Sequence, residues 1–344
     1  MNVMRLSGHI TKPCRRVAAS PNHMENQTSQ PPDGGRYAAN IPLVDMAKKQ
    51  QKRLTRFSLR TALVTFSLVS VLLGIWTTSS MKQRKAVVAL KQLGGDVVYY
   101  DDDAGRLSKT IASWLGQDFV HSVYSVDLSD TEIIDEDLRH LADLQTIAGL
   151  WLSGTKVTGA GFDHLLNLKN LESLGLGEQV TNESLRHVGQ LRSLTNINFG
   201  HARKIDDNGL QFLSSLVNLE RVNLWHTGMS GDGLEILSSL PNIRTIIAGG
   251  TNISDSGTAC LQKNNTLEEL VIQNTMIGDE TLKNLSRIPT LKQLVLTGTR
   301  ITDAGLLSLG ECKQLTKLSI SSNASITKDG RASLQLRLPT TTIR

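Results

Sequence analysis

The strongest constraint on the fold is an internal repeat with a period of 24 residues. From Val123 onward the chain divides into eight consecutive units: 123–146, 147–170, 171–193, 194–218, 219–242, 243–266, 267–290 and 291–314. The unit at 171–193 is one residue short, the unit at 194–218 is one residue long, and a terminal unit begins at Leu315. Self-similarity at a fixed period of this length predicts a solenoid, in which each unit packs only against its neighbours.

The units share the same columns of residues. Each opens with the pattern LxxLxL, as at Leu291–Leu296, which predicts a short strand with its repeated apolar residues in the core. A threonine follows at a predicted turn in six units: Thr131, Thr155, Thr227, Thr251, Thr275 and Thr299. A short polar residue then precedes a helical turn: Asp135, Asn182, Asp207, Asp255, Asp279 and Asp303. Because such side chains accept hydrogen bonds from the free N–H groups of a first helical turn, we expect these residues to be N-caps.

These columns resemble the leucine-rich repeat family. The phrase LxxLxLxxTxITDxGLxxLxxL is similar to the cysteine-containing subfamily and to the version of planctomycete bacteria, although threonine fills the turn position that is often cysteine or asparagine. The resemblance covers 123–344 and implies an α/β solenoid. That fold is a right-handed, horseshoe-like coil of βα units. Here it is expected to contain about eight 24-residue repeats plus a terminal unit, and one transmembrane helix is expected before it. At the far end, Leu334, Leu336 and Leu338 are expected to cover the core.

Three motifs before the repeats resemble the same bacterial group. They are RFSLRT at 56–61, ALxxLGG at 89–95 and WLGxDF at 114–119. In that group the first motif often leads into a membrane helix. The combination is more specific than any one motif and implies a membrane-anchored protein.

An uncharged apolar run, Thr61–Thr78, stands before the repeats and is extended by Ser79–Met81. As a helix, Thr61–Thr78 spans about 27 Å, which is close to the roughly 30 Å of bilayer hydrocarbon. Trp76 lies near one end, where an amphipathic ring suits the membrane surface. We therefore predict a transmembrane signal anchor at 56–81, after a disordered basic tail at 1–55.

Residues 82–122 are predicted to be a connector and N-terminal cap, and 123–344 the repeat domain. Within the cap, Ala86–Leu93 suits a short helix, Val97–Tyr100 a strand and Ile111–Leu115 a helical turn. A cap is required because the end of a solenoid otherwise exposes its leucines to water.

The net charge of +5 is unevenly distributed. Residues 1–60 contain eleven Lys or Arg and three Asp or Glu, so they carry +8 and leave −3 for the rest of the chain. Six basic residues precede the apolar run within 48–60, whereas Lys82, Arg84 and Lys85 follow it. The positive-inside rule then favours a single-pass inner-membrane protein with a cytoplasmic N-terminus and exported repeats. Since the basic residues are not on the folded body, no nucleic-acid binding is expected.

Two alternatives for the apolar run stay open. It could be a buried core helix, although its charged flanks and lack of a polar face oppose this. It could be a cleaved signal peptide with a site at Ser79–Ser80, although Lys82 follows closely. Met46 directly before the basic cluster is also an alternative start of translation.

No motif of catalysis or cofactor binding stands out in the sequence. There is no HExxH, GxSxG, GxxxxGK[ST] or CxxC. The three cysteines are too few for a disulfide scaffold or a four-ligand zinc site. Asp101–Asp103 lacks the spacing of a calcium loop and is interpreted as a solvated loop. We therefore expect no enzymatic activity, no cofactor and no metal.

The concave sheet is the predicted binding surface, because solenoids bind partners on such faces. Trp151 and Trp225 fall at its variable positions in a chain with only 4% aromatic residues. Together with nearby polar residues they define the candidate patch: Trp151, Asn198, His201, Arg221, Asn223, Trp225, His226 and Arg244. The competing interpretation is that the tryptophans merely shield small neighbours: Gly175, Gly177, Gly200 and Gly249.

The favoured function is therefore a non-enzymatic, membrane-anchored module that binds a protein or a surface ligand through this sheet. One alternative is a substrate-recognition adaptor similar to the F-box leucine-rich repeat proteins of ubiquitin ligases. Against it, the place of the helical F-box is taken by the apolar run and a short cap. Another alternative is a structural envelope component.

Overall fold

The computed structural model describes residues 59–100 and 106–344. The predicted tail at 1–55 and the Asp101–Asp103 cluster lie outside these residues. The chain divides into two units, 1–64 and 65–344. Of the first unit, the described residues 59–64 are helical. The second unit contains the cap and the repeats.

Helix α1, Leu59–Gln92, is followed by strand β1, Asp96–Tyr99, and by helices α2, Arg106–Leu115, and α3, Gln117–Val120. The later strands are β2 Val123–Asp127, β3 Gly149–Trp151, β4 Ser173–Gly175, β5 Asn196–Asn198, β6 Arg221–Asn223, β7 Thr245–Ile247, β8 Glu269–Val271, β9 Gln293–Val295, β10 Lys317–Ser319 and β11 Thr342–Ile343. The later α-helices are α4 Leu185–Val188, α5 Asp207–Leu210, α6 Gly231–Ser238, α7 Asp279–Leu285, α8 Asp303–Leu306 and α9 Lys328–Arg337. The 3₁₀ helices are Asp135–Asp143, Phe162–Leu165, Asn182–Ser184, Gln211–Ser215, Ser256–Lys263 and Leu307–Glu311.

The strands of the described residues form one sheet in the order β1 to β11. Strand β1 is antiparallel to β2, and every later pair is parallel. The predicted strands of the repeats are thus confirmed as a parallel ladder. The short and the long unit keep this register because their length changes fall in turns, between Leu176 and Val180 and between Phe199 and Ile205.

The core is a continuous aliphatic stack. In the unit at 291–314, Leu291, Leu294 and Leu296 are all buried, as their pattern predicts. At the far end the prediction is correct for two leucines and wrong for one. Leu334 and Leu338 are buried, whereas Leu336 is 85% exposed. The reason is that α9 is helical there, so residues four apart share a face and the residue between them points away.

The threonine column ties each turn to its own strand. In all six units the hydroxyl donates to the carbonyl oxygen three residues earlier, at 2.6 to 2.8 Å. Thr155, Thr227, Thr251 and Thr275 are buried. Since buried carbonyl groups need a hydrogen-bond partner, the threonine hydroxyl supplies one within the turn.

The acidic column does not cap its own helices, which corrects the prediction. Asp279 is the first residue of α7, and the N-cap position belongs to Gly278. The carboxylate of Asp279 instead accepts bonds from the backbone N–H and the hydroxyl of Thr302, the N-cap of α8 in the next repeat. Asp135, Asp207, Asp255 and Asp303 also reach forward by one repeat. The helices stack side by side, so the neighbouring repeat supplies the nearest unpaired N–H groups.

Helix α1 is one continuous element of 34 residues rather than an anchor helix at 56–81 and a separate helix at Ala86–Leu93. The residues between the two predicted elements are strong helix formers, without glycine or proline to interrupt them. The helix ends before Gly94, which has a left-handed φ of 89°. Its last turns bury Ala86, Val87 and Leu90 in the core.

The apolar part of α1 is long and apolar enough to cross a membrane, by length and composition. None of its most apolar window is buried, which opposes its interpretation as a core helix. The same finding is compatible with a membrane anchor or a signal sequence.

Candidate functional site

One face of the sheet carries the candidate residues. The first and third residues of β3–β10 point away from the core, as in β8, where Glu269 and Val271 are half-buried and Leu270 is fully buried. In β2 the residues in register with them are Ser125 and Asp127. We call this surface the strand face. It includes the residues that directly follow each strand.

The two tryptophans lie half-buried against glycines of the strand face. A Cβ added to Gly249 would lie 2.6 Å from Cζ3 of Trp225. A Cβ added to Gly149 would lie 2.6 Å from Cζ3 of Trp151, and one added to Gly175 would lie 3.0 Å from its Cδ1. Each indole therefore occupies space that only glycine leaves free.

The shielding interpretation thus fits Gly175 and Gly249 and extends to Gly149. It does not fit Gly177 and Gly200. The atom nearest to a Cβ on Gly177 is the carbonyl oxygen of Leu152, and for Gly200 it is Oδ1 of Asn198. Both tryptophans keep part of their surface accessible to solvent, so shielding a glycine and contacting a ligand are compatible roles.

Trp225 is the centre of a small aromatic cluster. Its ring meets that of His226 edge-on at a centroid distance of 5.5 Å, and the His226 ring lies 5.3 Å from that of His201 in the preceding repeat. Both histidines have a left-handed backbone, with φ of 68° at His201 and 55° at His226. The same column has glycine in three repeats, at Gly154, Gly250 and Gly298, and another residue with positive φ in three, at Asp130, Asn274 and Ser322. Asn, Asp and His are the residues other than glycine that adopt positive φ most readily, and in these two repeats the turn places two imidazoles side by side.

Asn198 and Asn223 are paired across β5 and β6. Oδ1 of Asn198 accepts from the N–H of Gly200 at 2.9 Å, and Oδ1 of Asn223 accepts from the N–H of Trp225 at 3.0 Å. These bonds hold the turns that carry the aromatic cluster. The two asparagines therefore have a positioning role in addition to their place on the strand face.

The two candidate arginines belong to an ion network at the opposite end of the strands. Arg221 forms an ion pair at 3.1 Å with Glu269, which lies two repeats later in the chain. Arg244 pairs with Glu268 at 2.8 Å, and Lys292 pairs with the same carboxylate at 2.8 Å. The hydrogen bond from Lys292 is the largest cause that lowers the pKa of Glu268, with Arg244 contributing. The guanidinium groups thus already have acidic partners.

The structure therefore separates the predicted patch into three parts. Asn198, His201, Asn223, Trp225 and His226 come together at the ends of β5 and β6. Arg221 and Arg244 lie in the ion network at the strand starts. Trp151 lies three strands from Asn223 in the same register, about 14 Å away at the usual strand spacing.

Glu268, Glu269 and Lys292 are the residues that the sequence analysis missed. Arg244, Glu268 and Lys292 succeed one another at the 24-residue period with alternating charge. Reading that column across repeats, rather than each repeat by itself, would have indicated the network, because residues one period apart become neighbours in a parallel ladder.

Within 59–100 and 106–344, no group of three or more His, Cys, Asp or Glu is placed to hold a metal ion. Cys260 and Cys312 are free thiols. Burial raises the pKa of the Cys312 thiol to about 11 and also raises that of Cys260. A thiol with a raised pKa is a poor nucleophile at neutral pH.

Residues 287–310 match the family described as "Leucine Rich repeat". No match is found among curated proteins. This match, together with the long parallel sheet, supports a leucine-rich repeat protein with a solenoid fold. Leucine-rich repeat proteins generally mediate protein–protein interaction.

Three solved structures are similar to the chain. Internalin C2 of Listeria monocytogenes is 18% identical, with a TM-score of 0.39 over 67% of this chain and 83% of that one. A leucine-rich repeat protein of Leptospira interrogans is 16% identical, with a TM-score of 0.40 over 60% of this chain and 62% of that one. A further Listeria monocytogenes internalin is 15% identical, with a TM-score of 0.37 over 70% and 94%.

Proposed function

We propose that the chain is a membrane-anchored leucine-rich repeat module of the planctomycete bacterial type, which binds a protein partner or a surface ligand through its concave strand face. The observation that carries the proposal is the cluster of Trp225, His226 and His201 on an uninterrupted face of parallel strands. A partly exposed tryptophan on a rigid scaffold is the type of residue that anchors protein interfaces.

The side chains at this cluster support a binding role over a purely structural one. A turn in this column needs a left-handed residue, and glycine meets that need without strain. Five repeats carry another residue there, and two adjacent ones carry histidine, whose rings lie 5.3 Å apart. Packing does not require this arrangement, because the side chain of His201 is exposed.

The anchoring part of the proposal is supported by α1. Its apolar side chains are exposed over a stretch with the length of a membrane span, and exposed apolar surface of this extent is not stable in water. The basic residues before the run favour a cytoplasmic N-terminus and exported repeats.

Photocrosslinking in the native membrane tests the binding face. A photoreactive residue at Ile247, on the strand face beside Asn223, is expected to capture a partner. The matched control is Val217, which is exposed outside the strands. The adduct at Ile247 should disappear with Trp225→Ala, because the interface anchor is lost. Equal adducts at both positions, or an adduct that survives Trp225→Ala and Trp151→Ala, would remove the strand face as the binding surface.

Protease protection in spheroplasts tests the orientation. A C-terminal tag should be digested from outside while the full-length chain fractionates with membranes. A protected tag would place the repeats in the cytoplasm, and the adaptor function would then become the leading alternative.

A further inference from the structure

Helix α2 carries an exposed apolar stripe outside the strand face. Ile111, Trp114 and Leu115 occupy positions i, i+3 and i+4, which lie on one side of an α-helix. All three are exposed, and Trp114 is 86% exposed. Single exposed apolar residues are ordinary, but a contiguous apolar surface marks a place where water is excluded in the functional state.

The stripe lies beside the point where the apolar part of α1 ends. The carbonyl oxygen of Leu115 lies 3.4 Å from Nη1 of Arg84. The ring of Phe119, in α3, meets the ring of Trp76 edge-on with centroids 5.2 Å apart. Helices α2 and α3 are therefore docked along the segment 76–84, in which the uncharged run of α1 gives way to basic residues.

This docking is held by directional bonds as well as by apolar contact. Nε2 of Gln83 donates to the carbonyl oxygens of Asp118 and His121, at 2.8 and 2.7 Å. One side chain thus fixes α3 to the last third of α1. The position of the stripe along α1 is accordingly a property of the fold.

The polar neighbours of α1 locate the membrane boundary. A groove beside α1 is lined by residues from Val71 to Gln83 on one side and by Asp143, Gln145 and Thr146 of the first repeat on the other. A carboxylate is costly in hydrocarbon, so the hydrocarbon has to end within the stretch of α1 that lines this groove, between Val71 and Gln83. The segment 76–84, about 12 Å long, then lies in or just above the headgroup layer.

We propose that the stripe formed by Ile111, Trp114 and Leu115 rests in the lipid headgroup layer of the bilayer that α1 enters, which makes α2 an interfacial helix. The proposal rests on the proposed membrane anchoring. An amphipathic helix of this kind buries its apolar face about 5–10 Å into the headgroup and acyl boundary. Tryptophan is the residue best suited to that layer.

Two observations favour lipid over a protein as the occupant. The stripe lies next to the apolar surface of α1, which is exposed along its whole membrane-length window. The exposed side chains of Lys82, Arg84 and Lys85 lie at the same level, and basic residues are attracted to an anionic membrane surface. Apolar and cationic groups at one level match a bilayer of anionic lipids.

Depth-dependent fluorescence quenching tests the proposal on the full chain. A polarity-sensitive fluorophore is attached through Leu115→Cys, which keeps Trp114, in a background without the three native cysteines. The matched control is Leu307→Cys, because Leu307 is 45% exposed and Leu115 is 43% exposed. A third label at Leu68→Cys, in the apolar run, reports insertion of α1. The vesicles contain phosphatidylcholine, phosphatidylglycerol and a spin-labelled lipid, whose label lies near the headgroup for the fluorophores at Leu115 and Leu307 and on the acyl chain for the fluorophore at Leu68.

The label at Leu115 is expected to lose about half of its fluorescence, as a group within the headgroup layer should. The label at Leu307 is expected to keep its fluorescence. Adding Trp114→Ser to the Leu115-labelled chain should reduce the quenching, because the main apolar group of the stripe is gone.

A quenched label at Leu68 with an unquenched label at Leu115 would overturn the interfacial helix while leaving the anchor intact. Equal quenching at Leu115 and Leu307 would overturn it as well, since the effect would not be specific to the stripe. An unquenched label at Leu68 would overturn both the anchoring and the interfacial helix.

Discussion

Asp279 accepts two hydrogen bonds of 2.7 Å from Thr302, which lies 23 residues later and starts the helix of the next repeat. Without this carboxylate, the first N–H group of the next helix would need a water molecule as its hydrogen-bond acceptor. The acidic column repeats this bond along the solenoid, and it connects the repeats on the helical side as the sheet connects them on the other.

Replacing Asp279 by alanine should therefore destabilise the junction between two repeats. Loss of a hydrogen bond to a charged acceptor costs roughly 1.5–3 kcal/mol. Urea-induced unfolding followed by far-UV circular dichroism measures the shift in midpoint. The control is Asp232→Ala, in the exposed first turn of α6, which should change stability by less than about 0.5 kcal/mol. Equal shifts in both variants would contradict the inter-repeat role.

The same column predicts an acid-sensitive contribution from Asp135. Burial alone would raise the pKa of this carboxyl, but hydrogen bonds from Thr158, Gly161 and Gly159 outweigh it and hold the pKa below its usual value. A carboxyl whose pKa is lowered by folding stabilises the protein above the unfolded pKa, near 3.8. That contribution is lost as the pH falls through the folded pKa.

Thermal unfolding between about pH 6 and pH 2 measures this effect. The stability of the wild-type chain should fall more steeply below about pH 4 than that of Asp135→Asn, which has no carboxyl to titrate. Parallel curves for the two proteins would show that Asp135 contributes nothing to the acid sensitivity.

Trp225 and Gly249 should behave as one energetic unit. Gly249→Ala places a methyl group 2.6 Å from the indole, so the ring has to move and the patch should lose its partner. In the Trp225→Ala background the same substitution meets no ring and should cost little. A double-mutant cycle on thermal stability should give a coupling of about 1 kcal/mol or more. Additive effects would mean that the glycine does not support the indole.

His201 should tolerate glycine but not valine. Its φ of 68° lies in the left-handed region, where a side chain other than Gly costs roughly 1–2 kcal/mol and β-branched residues are the least compatible. We expect His201→Gly to keep or raise the unfolding midpoint and His201→Val to lower it. Both variants should lose the photocrosslinked partner, since each removes the imidazole. Retained partner capture in His201→Gly would remove His201 from the site.

The sequence predicted what the 24-residue period controls directly. The parallel strands, the buried leucines and the turn threonines follow from residues that recur in every unit, so each is supported many times over. The acidic column was located correctly, yet its role was wrong. An aspartate that caps its own helix and one that accepts hydrogen bonds from the next repeat have the same local sequence. Which role the residue takes depends on how closely the neighbouring repeats stack.

The candidate site was less predictable because its geometry depends on relations between repeats. Arg221 reaches over one complete repeat to pair with Glu269, and the sequence of a single repeat gives no indication of this contact. The packing of Trp151 on Gly149 and Gly175 likewise combines residues of two strands. The continuity of α1 beyond Met81 was missed for another reason. The sequence changes there from apolar to charged residues, and under the proposed anchoring this reflects the passage of the helix from lipid to water rather than its end.

That continuity has a mechanical consequence. Residues 65–92 are a stiff strut whose far end is built into the core of the solenoid through Ala86, Val87 and Leu90. A domain on a flexible tether samples a wide volume and meets partners at many heights, whereas a domain on a strut presents its face at one height and one inclination. Under the proposed anchoring, a partner of the strand face would have to arrive at that fixed elevation. A force on the bound partner would then be transmitted directly to the membrane, because α1 is one continuous helix.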